Sequence, residues 1–217
     1  MTSKNIRESM TSGEWFHPDD IAFIEDSARV SRVMRRFNND ESLTDDERIH
    51  LLRSLFAHIG NDSYLCTGVR VDYGYNISIG DNCFFNYDCL FLDGAPITFG
   101  DRVMVGPRCQ FVTPLHPLLA NERYEQCVDG NLREWECERP ITVEDDVWIA
   151  SGVIVNPGVT IGARSVIGSG SVVTRDIPSD VFAAGNPCRV IREITEADAV
   201  GLRKAEQTDD SGFHHQL

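Results

Sequence analysis

The sequence predicts a mainly β protein, a parallel β-helix with an N-terminal helical cap and a short C-terminal helix. Two observations carry that prediction. In the second half of the chain Val143, Ile149, Val155, Ile161, Ile167 and Val173 follow one another at intervals of six without a miss, where chance would fill about two or three of six positions. Two residues ahead of each stands a second inward candidate, Ile141, Val147, Val153, Val159, Ser165 and Ser171. That alternation marks short strands with one buried face.

The first half repeats the pattern with Ile79, Phe85 and Phe91, a slip of two residues, and then Phe99, Val105 and Phe111. Glycine follows the apolar residue at Gly80, Gly100, Gly106, Gly162 and Gly168, which suits a sharp corner. Strand and corner at a period of six give a solenoid of triangular cross-section with three hexapeptides to a coil, and about four coils in all. Residues 113–139 break the register and carry His116; excursions from a solenoid gather on its binding face.

Ahead of the repeat the pattern is helical. Ile21, Ile24, Ala28 and Phe37 alternate with charge and place one helix around residues 19–37. Thr44-Asp45-Asp46-Glu47 reads as a capping box for a second, with Ile49, Leu51, Leu52, Leu55 and Phe56 as its apolar stripe and Gly60 as its stop. Behind the repeat Thr195 opens a short capped helix, and residues 207–217, including His214 and His215, read as a frayed tail. The expected organisation is a cap over residues 1–60, a β-helix over 61–194 and a helix with tail over 195–217.

Composition narrows the function. A net charge of -14 argues against nucleic acid or an anionic membrane as partner, because both require a basic face. Neither a long apolar run nor a charged-then-apolar leader occurs, so a cytoplasmic location is expected. The cysteines Cys66, Cys83, Cys89, Cys109, Cys127, Cys137 and Cys188 have no metal-ligand spacing and are odd in number. They read as reduced packing residues, and no metal is expected. Only Lys4 and Lys204 are lysines, and Arg164, Arg175, Arg189 and Arg192 fall together late in the chain; arginine is the better fork for phosphate oxygens.

Six stretches then stand out in order: MTSGEWF near the N-terminus, DYGYNISIGDN at 72–82, the segment from Asn86 to Asp93, LHP around His116, DDVWIASGVIVNPGVTIG at 145–162, and AAGNPCRVIREI at 183–194. Together they resemble the maltose and galactoside O-acetyltransferase family of hexapeptide-repeat acyltransferases. The resemblance implies a left-handed β-helix and a homotrimer with acetyl-CoA in the groove between neighbouring solenoids. It also implies direct transfer of acetyl to a hydroxyl of a sugar or glycoside, with neither a metal nor a covalent acyl-enzyme.

A sugar hydroxyl is a weak nucleophile at neutral pH, so transfer needs a base, and histidine suits that task. His116 is the one histidine within residues 61–194, the others falling in the cap or the tail, and the family's His-Pro pair makes it the catalytic base. The resemblance further implies that Glu136 orients the histidine or the acceptor, that Asn86 serves the chemistry and the acceptor, and that Asp72, Phe84 and Asp93 line the acceptor site. Asp19 or Asp20 would replace an acceptor-contacting aspartate. For the acyl donor it implies an oxyanion-binding N–H at Ser151, Trp148 as a wall, Ser169 and Thr174 along the groove, and Arg175, Arg189 and Arg192 near the phosphates.

The chain also departs from the family. Ala150-Ser151 replaces Gly-Gly or Gly-Ser, Phe84 stands where tyrosine is common, Gly94 stands where some members carry a second aspartate, and the excursion is longer. Three other readings compete. Zinc carbonic anhydrases share the solenoid but need three histidines. Antibiotic O-acetyltransferases share the solenoid, the loop histidine and a long excursion. A non-catalytic trimeric scaffold would not require His116, Asn86 and Trp148 together.

Overall fold

The computed structural model describes residues 10–18 and 21–202. Asp19, Asp20, His214 and His215 lie outside the described residues. Helix α1 (Ile21–Asn39) and helix α2 (Asp45–Arg53) form the cap. The first coil follows as β1 (His58–Ile59), β2 (Tyr64–Leu65) and β3 (Arg70–Val71), the second as β4 (Ile77–Ile79), β5 (Phe84–Phe85) and β6 (Leu90–Leu92), and the third as β7 (Ile97–Phe99), β8 (Met104–Val105) and β9 (Gln110–Val112). The excursion contributes β10 (Pro114–Leu115), β11 (Tyr124–Gln126), β12 (Leu132–Glu134) and β13 (Cys137–Glu138). The fourth coil is β14 (Ile141–Val143), β15 (Trp148–Ile149) and β16 (Ile154–Val155), and the fifth is β17 (Thr160–Ile161), β18 (Val166–Ile167) and β19 (Val172–Val173). β20 (Val181–Ala184) starts a sixth coil, and β21 (Arg189–Glu193) folds back antiparallel on it.

Three parallel sheets make the sides of a left-handed β-helix: β1-β4-β7-β14-β17, then β2-β5-β8-β15-β18-β20 with β21 at its edge, then β3-β6-β9-β16-β19. The helix therefore has five full coils and part of a sixth, more than the four that the clear repeats suggest. Coil one is hidden in the sequence because its one corner glycine, Gly60 after Ile59, also reads as a helix stop, and Leu65 and Val71 are followed by no glycine.

Each inward residue stacks on its counterpart one coil away: Ile79 on Phe99, Phe99 on Val143, Val143 on Ile161. The inward positions predicted by the period are all buried, Val143, Ile149, Val155, Ile161, Ile167 and Val173 at 0% exposure. Phe85, Phe91, Phe99 and Phe111 fill the axis, with Phe99 edge-on to Phe85 at 4.8 Å and to Phe111 at 4.9 Å between ring centres. Each buried ring contributes about 1.5–3 kcal/mol by leaving water. Cys83, Cys89 and Cys109 take the smaller inward positions as buried free thiols, and burial pushes the Cys89 thiol up to about 12.

The corner between the first and second sheets shows why the Gly-Asp signature recurs. Asp81 Oδ1 accepts the Asn61 N–H at 2.6 Å, Asp101 Oδ1 accepts the Asp81 N–H at 2.9 Å, and Asp145 Oδ1 accepts the Asp101 N–H at 2.9 Å. Each of these corner carboxylates thus satisfies a backbone donor of the coil beside it. The preceding Gly80 must be small, since a Cβ there would lie 2.6 Å from Gly100 O.

The slip in the repeat also has a place. Ile77 pairs with Ile97, twenty residues on, whereas Val143 pairs with Ile161, eighteen on. The two extra residues fall at the corner between the third and first sheets, around Asp93.

α2 carries the expected capping box, with Thr44 and Glu47 exchanging side-chain and backbone bonds. It ends at Arg53 with Ser54 as C-cap, so Gly60 does not stop the helix; it is the first corner glycine, and a Cβ on it would meet Gly80 O at 2.5 Å. In α1 the inward stripe is Val30, Met34 and Phe37, and Ala28 is exposed. These three, with Leu52, Leu55 and Phe56, seal the core at coil one. Asn38 fixes the cap to that coil, donating to Val69 O at 2.8 Å and accepting the Gly68 N–H at 2.9 Å. At the other end the capped C-terminal helix expected at Thr195 is a single 3-10 turn, Glu196–Asp198, with its capping box intact. No helix of the described residues is long and apolar enough to cross a membrane.

Candidate active site

The excursion leaves from the third corner, where β9 would otherwise turn into β14. It closes on itself: β10 pairs antiparallel with β13, Pro114 opposite Glu138 and Leu115 opposite Cys137. Continuing that register brings His116 beside Glu136. The N-terminal segment adds a further rung, Phe16 and Glu136 exchanging N–H and C=O bonds at 2.8 and 2.9 Å. β11 and β12 form an outer hairpin.

His116 Nδ1 lies 3.0 Å from the Trp135 carbonyl oxygen. A carbonyl only accepts, so Nδ1 carries the hydrogen and Nε2 keeps a lone pair. The side chain is 46% exposed, and the Glu136 carboxylate, 16% exposed, stands 3.8 Å from Nε2. The contact selects the tautomer whose Nε2 can accept a proton, with the Glu136 carboxyl beside it.

Behind this pair the third corner gathers carboxyl groups. Asp72 follows β3 and is half-buried; burial, with the nearby Glu136 charge adding to it, pushes it up to about 6. Glu138 is 2% exposed, and burial pushes it up to about 8 against the lowering effect of the Thr113 bond, with the Glu136 carboxyl adding to the rise. Burial also raises Glu136, against the bond it accepts from Glu138 and the pull of His116. Asp93 is fully buried and receives the N–H groups of Asp72, Tyr73 and Gly74 at 3.1, 2.9 and 2.7 Å. Burial raises it to about 7 in spite of the Tyr73 and Gly74 bonds. Its carboxylate organises the Asp72–Gly74 turn and is turned away from solvent.

The remaining predicted residues lie elsewhere. Asn86, Ser151 and Ser169 occupy the corner between the second and third sheets, following β5, β15 and β18. Asn86 Oδ1 accepts the Tyr87 N–H at 2.8 Å. The Ser151 N–H meets no acceptor among the described residues. Phe84 and Trp148 point outward from the second sheet, where Tyr64, Phe84, Met104 and Trp148 stand in direct register and are 43%, 36%, 54% and 51% exposed. Thr174 and Arg175 are exposed at the third corner after β19, and Arg189 and Arg192 are exposed on β21. The Arg192 guanidinium is held by Asp198 at 2.7 and 2.8 Å, whereas the Arg189 guanidinium donates to the Cys188 carbonyl at 2.7 Å. One chain therefore brings His116, Glu136 and Asp72 together and keeps Asn86, Ser151, Phe84 and Trp148 on a different side of the prism.

Four residues around the histidine escaped sequence reasoning: Trp135, Glu138, Thr113 and His17. His17 packs its ring on Trp135 at 3.8 Å, with Nδ1 2.7 Å from Glu134 O and Nε2 3.0 Å from Glu125 Oε2. Glu138 had a signal, since Glu136 and Glu138 at i and i+2 share one face of a strand. His17 had none, because its partners are more than a hundred residues away.

A parallel β-helix that carries an oriented histidine on its long excursion fits the acyltransferase class. Residues 9–60 match the maltose acetyltransferase hexapeptide capping motif, and residues 140–175 match the bacterial transferase hexapeptide (six repeats). The chain is 37% identical to the galactoside O-acetyltransferase of Escherichia coli (strain K12) over 89% of its own length and 91% of the relative's. A maltose O-acetyltransferase from Clostridium difficile 630 superposes with a TM-score of 0.80 at 42% identity, over 88% of this chain and 97% of that one. A hexapeptide-repeat acetyltransferase from Vibrio cholerae O1 biovar eltor, complexed with acetyl coenzyme A, does so with a TM-score of 0.76 at 38% identity, over 87% and 98%. The chain belongs to the galactoside and maltose O-acetyltransferase family of hexapeptide-repeat acyltransferases.

Proposed function

We propose that this acetyltransferase moves the acetyl group of acetyl-CoA to a hydroxyl of a sugar or glycoside, with His116 as general base. The observation that carries the reading is the His116 Nδ1 contact with Trp135 O at 3.0 Å, which leaves Nε2 to take the hydroxyl proton. The relatives' names support the acceptor class, and the Vibrio complex supports the donor. Acetyl-CoA brings an activated thioester. Glu136 steadies the protonated His116, Asp72 receives hydrogen bonds from acceptor hydroxyls, and the Ser151 N–H donates to the carbonyl oxygen as it gains charge. Trp148 walls the donor, Ser169 and Thr174 border its groove, and Arg175, Arg189 and Arg192 serve its phosphates.

The separation of the two groups of residues supports a homotrimer. The His116 corner of one subunit meets the Asn86–Ser151 corner and the Phe84–Trp148 face of the next, and the apolar column on that face gains cover. The buried free thiols fit a reducing cytoplasm.

The test is an acceptor panel of galactosides, maltose, glucose and hydroxylated antibiotics, read by release of free CoA, with light scattering for the assembly. Transfer to a glycoside by a trimer is expected. Transfer to an antibiotic alone, or a stable monomer at micromolar concentration, would overturn the acceptor class or the shared site respectively.

A further inference from the structure

Glu138 takes no part in the chemistry above, yet the fold invests several contacts in it. It sits on β13 opposite Pro114, two residues after Glu136 and on the same face of the strand. Thr113 Oγ1, which accepts the Ala95 N–H at 3.0 Å, has one hydrogen between two acceptors, Leu92 O at 2.7 Å and Glu138 Oε2 at 2.6 Å. Gly94 has no side chain, and the Glu138 carboxyl fills the space: a Cβ on Gly94 would overlap Oε1. The carboxyl is thereby clamped between a hydroxyl and a bare backbone, with the Glu136 carboxyl as a further hydrogen-bonding neighbour.

We infer that Glu138 is a positioning residue of the active site, a buried carboxylic acid that donates its proton in a hydrogen bond to Glu136 and so holds the Glu136 carboxylate against His116. The inference rests on the acetyltransferase reading of this site.

Its chemistry follows from the neighbours. Two carboxyl groups in contact are stable when they share one proton, because the neutral acid becomes a donor to the remaining anion. The groups that face Glu138 are Glu136 and the half-buried Asp72, both acidic, and Tyr73, whose phenol is held protonated by burial and by these same charges. The histidine His116 faces Glu136 from the far side. The adjacent Arg139 turns away and donates to Gly13 O at 2.9 Å. When Glu138 ionises, Glu136 loses its donor and gains a repelling neighbour, so its carboxylate leaves the position from which it steadies His116. No proton moves from Glu138 to substrate; its work is to fix an anion.

The test is the pH dependence of kcat and KM for parent, Glu138→Ala and Glu138→Gln. In the parent kcat should fall above about pH 8, the value to which burial raises Glu138, with acetyl-CoA KM steady. Glu138→Ala should lose about tenfold or more in kcat near neutrality. Glu138→Gln keeps an N–H donor for Glu136 and an acceptor for Thr113, so it should recover most of that loss and remove the alkaline fall. An alkaline limb as steep in Glu138→Gln as in the parent would overturn the inference, and so would a Glu138→Ala enzyme with parental kcat. If Glu138→Ala does not fold, the Glu138→Gln profile decides alone. A parent that acetylates no hydroxyl defeats the functional reading instead. In that event infrared difference spectra still decide, because a carboxylic-acid carbonyl band that persists at pH 7 must vanish in Glu138→Gln, and an unchanged band overturns the assignment.

Discussion

The carboxyl of Glu138 occupies the space that a side chain on Gly94 would fill, so that a Cβ there would overlap Oε1. Gly94 is not among the positive-φ glycines, and the three atoms nearest to a Cβ placed there all belong to Glu138. Gly94→Ala should therefore push Glu138 off Thr113 and act on turnover as Glu138→Ala does, lowering kcat by about tenfold. Adding Gly94→Ala to a Glu138→Gly protein should cost almost nothing further, because the clash is gone. Steady-state kinetics and thermal melts of the four proteins check this; additive losses would show that the two residues act independently.

His116→Ala should lower turnover by about two to four orders of magnitude, the usual worth of a placed general base. The side chain is 46% exposed and outside the solenoid core, so assembly and acetyl-CoA affinity should survive. Calorimetric titration with acetyl-CoA beside the rate assay separates the two effects. An alanine variant that keeps more than a tenth of parental turnover would place proton removal on another group.

Stability should fall with rising pH across a window set by the buried acids. Burial raises Asp93 from 3.8 to about 7 and Glu138 from 4.5 to about 8, so between these limits the folded chain binds more protons than the unfolded chain. Their contribution is complete below about pH 4 and is lost as pH climbs through 7 to 8. The exposed carboxylates of Asp146 and Asp180, lowered by their arginine partners, act in acid and outside that window. Glu138→Gln cannot ionise, so its Tm should decline less from pH 5 to 8 than the parent's, by several degrees. Parallel Tm curves would remove Glu138 as the source.

Among the late arginines, charge reversal at Arg189 should raise the KM for acetyl-CoA more than reversal at Arg192. Arg192 is already committed to Asp198 by two bonds and must release it to meet a phosphate, whereas Arg189 gives up a carbonyl contact. The acceptor KM should hardly move in either variant. A larger effect from Arg192 would place the phosphates nearer the 3-10 turn.

Much of this protein is legible in spacing alone. A six-residue period of apolar residues leaves the chain one way to bury them, so Val143 to Val173 and Phe99 to Phe111 mark their coils without reference to any partner strand. The box at Thr44 and the break at residue 113 are equally local, since each depends on neighbours a few residues apart. The first coil is not legible, because its one corner glycine, Gly60, falls directly behind a helical pattern and its short strands are defined by their pairing with β4 to β6.

The site divides along the same line. His116, Asp72 and Glu136 are legible through their motifs, and the slip near Asp93 marks the corner where they meet. Sequence could not decide that Asp93 turns inward to three backbone N–H groups, that Arg192 is held by Asp198, or that Asn86 and Ser151 lie on a different corner from His116. Most of these outcomes depend on which coil lies beside which, a matter of contacts across twenty to a hundred residues. The pattern of residues along the chain determined a β-helix with a histidine on its loop; only the stacking of coils decided which carboxyl is buried and which one faces that histidine.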